Sequence, residues 1–269
     1  MNISVFDLSQ LDGNNGFRID GKSDSTSGTS VSTIGDVNGD GFDDVVVGAH
    51  SSFNPSNNGF IGSNYVVFGS GSGFSAAMDL SSLDGSNGFG IDAITPYDRS
   101  TVSIDNAGDI NGDGVTDMLV HVLGFDLPGD RAGFNYIVFG RTSGFGAAID
   151  LSTLDGSNGF RVQGGSDSYP NVLINSAGDI NGDGFDDVIV GSSRTDPNGL
   201  LSSSSHVVFG RASGFDATLD LSSLDGINGF RLDGAATYDR LGLTVKNAGD
   251  VNGDGFDDLV VGARFTYPN

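Results

Sequence analysis

Short apolar runs, alternating or continuous, recur along the whole chain, each bounded by Gly, Asn, Asp and Ser. In the first cycle, residues 30–34 alternate and lead into an Asp-rich loop, and residues 44–48 leave it as a continuous apolar run. A Ser/Asn/Gly loop follows, then an apolar segment at 64–68, a turn at 71–74 and a fourth stretch over 79–92. Runs this short, closed by turn residues, predict strands and not helices. The order strand, loop, strand, strand, strand predicts one four-stranded antiparallel sheet per cycle.

The cycle is an internal repeat. LDGxNGF begins at Leu11, Leu83, Leu154 and Leu224, and GDxNGDG begins at Gly35, Gly108, Gly178 and Gly249. The segment VVFG or IVFG ends at Gly69, Gly140 and Gly210. Successive Asp loops start 73, 70 and 71 residues apart, a period of about 71. Four repeats follow, near 1–75, 76–146, 147–216 and 217–269, forming a single region. A lone sheet with apolar residues on both faces must stack on its neighbours, and radial stacking gives an all-β propeller. Residues 1–20 supply a fourth-type strand, while the last repeat stops at 264–269 before its third strand. That offset predicts a piece of a longer propeller; the alternative is a closed four-bladed ring.

Composition sharpens the reading. All 35 acidic residues are Asp, against 12 Lys and Arg, so the residues that usually cover helix surfaces are scarce. The 44 Gly fit a chain full of tight turns, and 19 Phe supply a core. A net charge of −23 disfavours nucleic acid and anionic lipid and favours cations. Cys is absent, which removes disulfides and thiolate chemistry. No apolar run is long enough to insert into a membrane, and residues 1–7 carry no secretory pattern.

The Asp loops carry the candidate chemistry. They place Asp36, Asn38, Asp40, Phe42 and Asp44 at positions 1, 3, 5, 7 and 9, with Asp109, Asn111, Asp113, Val115 and Asp117 in the second. The third has Asp179, Asn181, Asp183, Phe185 and Asp187, and the fourth Asp250, Asn252, Asp254, Phe256 and Asp258. Oxygens at alternate positions converge on one ion when a loop wraps around it; Gly at position 6 allows the turn, and position 7 offers its carbonyl. The donors are hard oxygens, which favours calcium over zinc or copper, about four ions per chain. Position 12 is Val47, Val120, Val190 and Val261 where a helical calcium loop needs Glu, so these loops join strands. Position 8 is Asp43, Asp186 and Asp257 but Thr116, and is not counted as a ligand. Plain Asp/Asn turns are the alternative, and four copies at fixed offsets weigh against it.

With the Phe-Gly pairs at 68–69, 139–140 and 209–210 and the Gly-Ala steps at 48–49 and 262–263, these loops resemble the FG-GAP repeats of the integrin α-subunit propeller. The resemblance implies seven-bladed propellers with structural calcium, a secreted or cell-surface location, adhesion, and type I export in bacterial relatives. Departures are His121-Val122 in place of Gly-Ala, the lack of Pro after that step, and only four repeats.

No catalytic constellation is expected. His50, His121 and His206 fall at three different repeat positions and read as packing or surface residues. Asp24, Asp98, Asp167 and Asp239 precede each loop by 11 or 12 residues and read as turn residues. A protein or glycan partner would contact the divergent loops at 50–63, 122–134 and 192–205. The alternatives to an adhesion scaffold are a propeller attached to a hydrolase, or a lectin. Trp is absent and Tyr numbers six, which weakens the lectin reading.

Overall fold

Regular structure among the described residues consists of strands and single-turn 3-10 helices. The computed structural model describes residues 6–22, 25–51, 62–92, 102–122, 134–164, 173–192 and 197–263. Strand β1 (Arg18–Asp20) precedes the first full sheet. That sheet holds β2 (Ser25–Gly35), β3 (Asp44–Ser51) and β4 (Gly62–Val67), followed in the chain by β5 (Ala77–Asp79) and β6 (Gly88–Asp92). The second repeats the order with β7 (Val102–Gly108), β8 (Asp117–Val122), β9 (Phe134–Val138), β10 (Ala148–Ile149) and β11 (Gly159–Gln163). The third has β12 (Ile174–Gly178), β13 (Asp187–Ser192), β14 (Ser204–Val208), β15 (Thr218–Asp220) and β16 (Gly229–Asp233). A fourth sheet contains β17 (Leu241–Gly249) and β18 (Asp258–Ala263).

Each full sheet is an antiparallel blade in the expected order, β2-β3-β4-β6, β7-β8-β9-β11 and β12-β13-β14-β16. The expected fourth strand over 79–92 is corrected: that stretch divides between two sheets. Strands β5, β10 and β15 pair in parallel with β1, β6 and β11, the last strands of the preceding blades. The division is chemical. Asp79, Asp150 and Asp220 accept the amide protons of Ser81, Ser152 and Ser222 at 2.7, 2.9 and 2.8 Å, capping the 3-10 turns Leu80–Ser82, Leu151–Thr153 and Leu221–Ser223. These caps satisfy amides that a continued strand would have paired. The chain then re-enters through Gly88, whose φ of +140° and close approach to the Val66 carbonyl exclude a side chain.

Each blade is apolar on both faces, so the cores lie between blades. One joins Val46, Val66 and Phe89 to Ile104, Met118 and Val120, and the next joins Leu119, Ile137 and Phe160 to Val188, Val190 and Val208. A third joins Ile189 and Val207 to Val245. First strands lie abreast, β2 beside β7, β7 beside β12 and β12 beside β17. This is the radial blade stacking of a β-propeller, and ring closure is not seen among the described residues. No described helix is long and apolar enough to cross a membrane.

Candidate metal loops

Stacking brings the four Asp loops, each joining the first strand of a blade to the second, into one succession. In the first, Asp36 bends the chain around its own carboxylate: Oδ1 accepts from the amides of Gly39 and Asp40 at 2.7 and 3.1 Å, and Oδ2 from Gly41 at 2.7 Å. Asn38 Oδ1 accepts from the Asp40 amide at 2.9 Å and Asp40 Oδ1 from that of Phe42 at 2.9 Å. Asp179, Asn181 and Asp183 repeat this set, as do Asp250, Asn252 and Asp254. Asp109, Asn111 and Asp113 hold the second loop with the same contacts to Asp113, Gly114 and Val115. Gly39 and Gly41 take φ of +71° and +90°, the conformation this curl requires.

Position 9 is the buried member. Asp44, Asp117 and Asp187 are fully buried, and each carboxylate joins two distant amides. Oδ2 accepts from Val37, Ile110 and Ile180 at 3.0, 2.9 and 3.1 Å; Oδ1 accepts from Gly69, Gly140 and Gly210 at 2.8, 2.8 and 2.9 Å. The glycine of each Phe-Gly pair is therefore the anchor of the third strand on the loop. It must be glycine, because a Cβ at Gly140 would collide with the Thr116 carbonyl and one at Gly210 with that of Asp186. Burial raises Asp44 to about 6, Asp117 to about 8 and Asp187 to about 7; the two amides oppose the rise, and the carboxylates at positions 5 and 1 add to it.

Position 8, not counted as a ligand, makes an interblade contact. The amides of Thr116, Asp186 and Asp257 donate to the position 1 carbonyls of the preceding loops, Asp36, Asp109 and Asp179, at 3.0, 3.1 and 3.1 Å. The carboxylates of Asp186 and Asp257 accept in return from the Asp109 and Asp179 amides at 2.7 and 3.0 Å. At position 7, Phe185 and Phe256 lie against Gly112 and Gly182 of the preceding loop, where a Cβ would run into each ring.

Positions 1, 3 and 5 of each loop share the loop's amides, and in the first three loops the carboxylates at positions 5 and 1 act electrostatically on the one at position 9. Among the described residues no three Asp, Glu, His or Cys side chains form a ready metal cluster by themselves. The side-chain oxygen set of a loop is mixed, with an Asn beside the carboxylates. That set, and buried carboxylates with amide partners and no basic side chain among the described residues, fit a hard divalent cation.

The histidines and the remaining Asp residues fall elsewhere. His121 shares a hydrogen bond of 2.6 Å with Asn135, and His206 is buried in β14 opposite Arg231. Asp239 accepts from the Ala236 amide at 2.7 Å in a turn, while Asp24, Asp98 and Asp167 and the side chain of His50 lie outside the described residues. Loops 50–63 and 122–134 also lie largely outside them, as do 193–196.

The FG-GAP repeat family matches residues 27–63, 174–202 and 247–268, each segment containing the strand–Asp loop–strand unit or part of it. The chain is 33% identical over 177 residues to a phosphatidylinositol-glycan-specific phospholipase D of Bos taurus, covering 63% of this chain and 19% of that protein. It is 30% identical over 166 residues to an integrin alpha-4 of Xenopus laevis, covering 62% of this chain and 14% of that protein. The chain therefore spans under a fifth of the length of either relative.

Proposed function

From a chain built of FG-GAP repeats as in integrin α, we infer that its four Asp loops hold calcium and that its blades serve as an extracellular or cell-surface scaffold or adhesion module. The observation that carries this reading is the burial of Asp44, Asp117 and Asp187 beside two further carboxylates, with no cationic side chain in contact among the described residues. Asp36, Asn38, Asp40, the Phe42 carbonyl and Asp44 would hold the ion in the first loop, with the corresponding residues in the other three. Bound calcium supplies charge neutralisation and a cross-link. The chain's own groups do the rest: position 1 curls the loop, position 9 fastens it to the third strand, and position 8 fastens it to the preceding loop. The metal role is structural, and the repeats are read as non-catalytic. The partner is a protein or glycan, with neither nucleic acid nor direct membrane insertion involved.

A second reading has the blades accompany a hydrolase, favoured by the similarity to the phospholipase D. Calcium titration calorimetry on chelator-stripped protein, with parallel thermal melts, tests the first reading. About four ions per chain and a large rise in melting temperature are expected, since a site at a hundredfold its Kd adds about 2.7 kcal/mol. No binding at millimolar calcium would reduce the loops to turns.

A further inference from the structure

The turn after each Phe-Gly pair closes on a phenylalanine, and the three copies are seated alike. They read Phe-Gly-Ser-Gly-Ser-Gly-Phe at 68–74, Phe-Gly-Arg-Thr-Ser-Gly-Phe at 139–145 and Phe-Gly-Arg-Ala-Ser-Gly-Phe at 209–215. Gly73, Gly144 and Gly214 take φ of +81°, +85° and +87°. Just past the closing rings, the carbonyls of Ala76, Ala147 and Ala217 accept from the amides of Arg18, Gly90 and Arg161 at 3.0, 2.9 and 3.0 Å. Phe17, Phe89 and Phe160 stack on Phe74, Phe145 and Phe215, with centroids 3.9, 4.5 and 4.7 Å apart.

A stacked ring has one face left, and the second and third blades cover it with arginine. Arg141 and Arg211 place their guanidinium carbons 4.5 and 4.6 Å from the centroids of Phe145 and Phe215. Each is fixed by the carbonyl before the ring: Arg141 Nε donates to Gly144 at 3.0 Å, and Arg211 Nη2 to Gly214 at 2.8 Å. An aromatic face with a carbonyl at its edge suits a planar guanidinium, which can stack and donate at once. The place faces solvent even where a preceding Asp loop adjoins it. Arg141 and Arg211 are only half-buried, although their amides donate to the Val37 and Ile110 carbonyls at 3.0 and 2.9 Å.

The first blade has the ring and the glycine but not the arginine. Ser70 stands at that position, and its hydroxyl pairs with that of Ser72 at 2.8 Å. Among the described residues no Lys or Arg lies over Phe74. A cavity of about 440 Å³ is bordered there by Ser70, Gly73 and Phe74, the three positions that form the arginine stack in the other blades. Asp40 and Asp79 lie on its wall, which places it at the Asp-loop end of the blade. In a chain of net charge −23 these carboxylates draw in a cation.

We propose that this cavity is a docking site for an arginine side chain of a partner protein, held over Phe74 as Arg141 is held over Phe145. The guanidinium stacks on the ring and donates to the Gly73 carbonyl, and the Asp79 carboxylate supplies the opposite charge. The inference rests on the reading of a protein partner and needs no ion in the first loop.

The test titrates the intact chain, in millimolar calcium, with the end-blocked peptide Gly-Gly-Arg-Gly-Gly and follows amide NMR shifts. Saturable shifts are expected at residues 70–75, with a Kd in the millimolar range. Citrulline in place of the peptide's arginine keeps the shape and loses the charge, and is expected to weaken binding about tenfold or more. Ser70→Arg gives the first blade the residue that the other two carry, and is expected to abolish saturation at 70–75. Absence of saturation at tens of millimolar peptide, undiminished binding of the citrulline peptide, undiminished binding by Ser70→Arg, or shifts confined to other residues overturns the proposal. Calcium uptake is read separately on the same sample, so failure here and failure of the metal reading are told apart.

Discussion

The carboxylate of Asp187 holds the amide of Gly210 at 2.9 Å, across 23 residues of sequence, while completely buried. With its second oxygen on the Ile180 amide at 3.1 Å, one side chain ties together loop, second strand and third strand. Removing it leaves two amides without acceptors. Asp187→Ala is expected to cost about 2–4 kcal/mol in denaturant unfolding of the calcium-free protein. Asp258→Ala, which loses a half-exposed carboxylate with no glycine amide among the described residues, is expected to cost under about 1 kcal/mol. Equal losses would show that the glycine contact contributes nothing.

The glycine side of that contact is equally exacting. A methyl at Gly140 would collide with the Thr116 carbonyl and lie 2.6 Å from the Val115 side chain. Backbone on one side cannot yield as a side chain does. Gly140→Ala is expected to destabilise by about 2–4 kcal/mol. Gly144→Ala, with open space around it and a φ of +85°, is expected to cost only about 1 kcal/mol of backbone strain. Thermal melts of the two variants check the order.

These contacts explain how much is legible in the sequence. The period, the four Asp loops and the Phe-Gly pairs stand out because each is a local string repeated at fixed spacing. The all-β blade order follows from apolar runs between turn residues. Position 9 reads from sequence as a metal ligand alone, because its second task depends on Gly69, Gly140 and Gly210, more than 20 residues away. Position 8 carries little sequence signal because Thr116 breaks the pattern, although the amide that makes the interblade bond is independent of the side chain. The division of 79–92 is hidden because parallel addition to the preceding blade leaves no periodic signature, only the Asp-x-Ser cap at Asp79, Asp150 and Asp220.

Acidity gives a third prediction. Asp44, Asp117 and Asp187 have folded values raised to about 6, 8 and 7 from an ordinary 3.8, so the calcium-free fold binds their protons more tightly than the unfolded chain. Their contribution to stability is complete below about pH 4 and declines as pH rises through 6 to 8. Calcium-free protein is therefore expected to melt at lower temperature at pH 8 than at pH 5. Saturating calcium is expected to reverse that order. Melts in chelator and in calcium across this range check it; a flat chelator profile would contradict the buried-carboxylate account.

His206 titrates with the opposite sign. It stands directly across from Arg231, and burial with that guanidinium lowers the imidazole from 6.5 to about 4, against a weaker pull from Asp233. Its contribution is present above about pH 6.5 and is lost as pH falls towards 4. Tyr65 and Tyr136 occupy the equivalent place in β4 and β9. His206→Tyr is expected to gain stability over the parent progressively from pH 6.5 to 4, and the difference in melting temperature between the two proteins isolates this effect from the carboxylates.

Thr116 offers the last prediction. At the other two described loop contacts, an Asp at position 8 returns a carboxylate to the preceding position 1 amide, at 2.7 Å for Asp186 and 3.0 Å for Asp257. At the first contact only the Thr116 amide bonds, to the Asp36 carbonyl at 3.0 Å. Thr116→Asp supplies the missing acceptor for the Asp36 amide, a gain of about 1 kcal/mol. It also adds a negative charge beside Asp36 and Asp40, which opposes that gain when the loop lacks a cation. The variant is expected to melt higher than the parent in calcium and no higher in chelator. A gain in both conditions would make the hydrogen bond dominant over repulsion, and a loss in both would mean that threonine is the better residue at this contact.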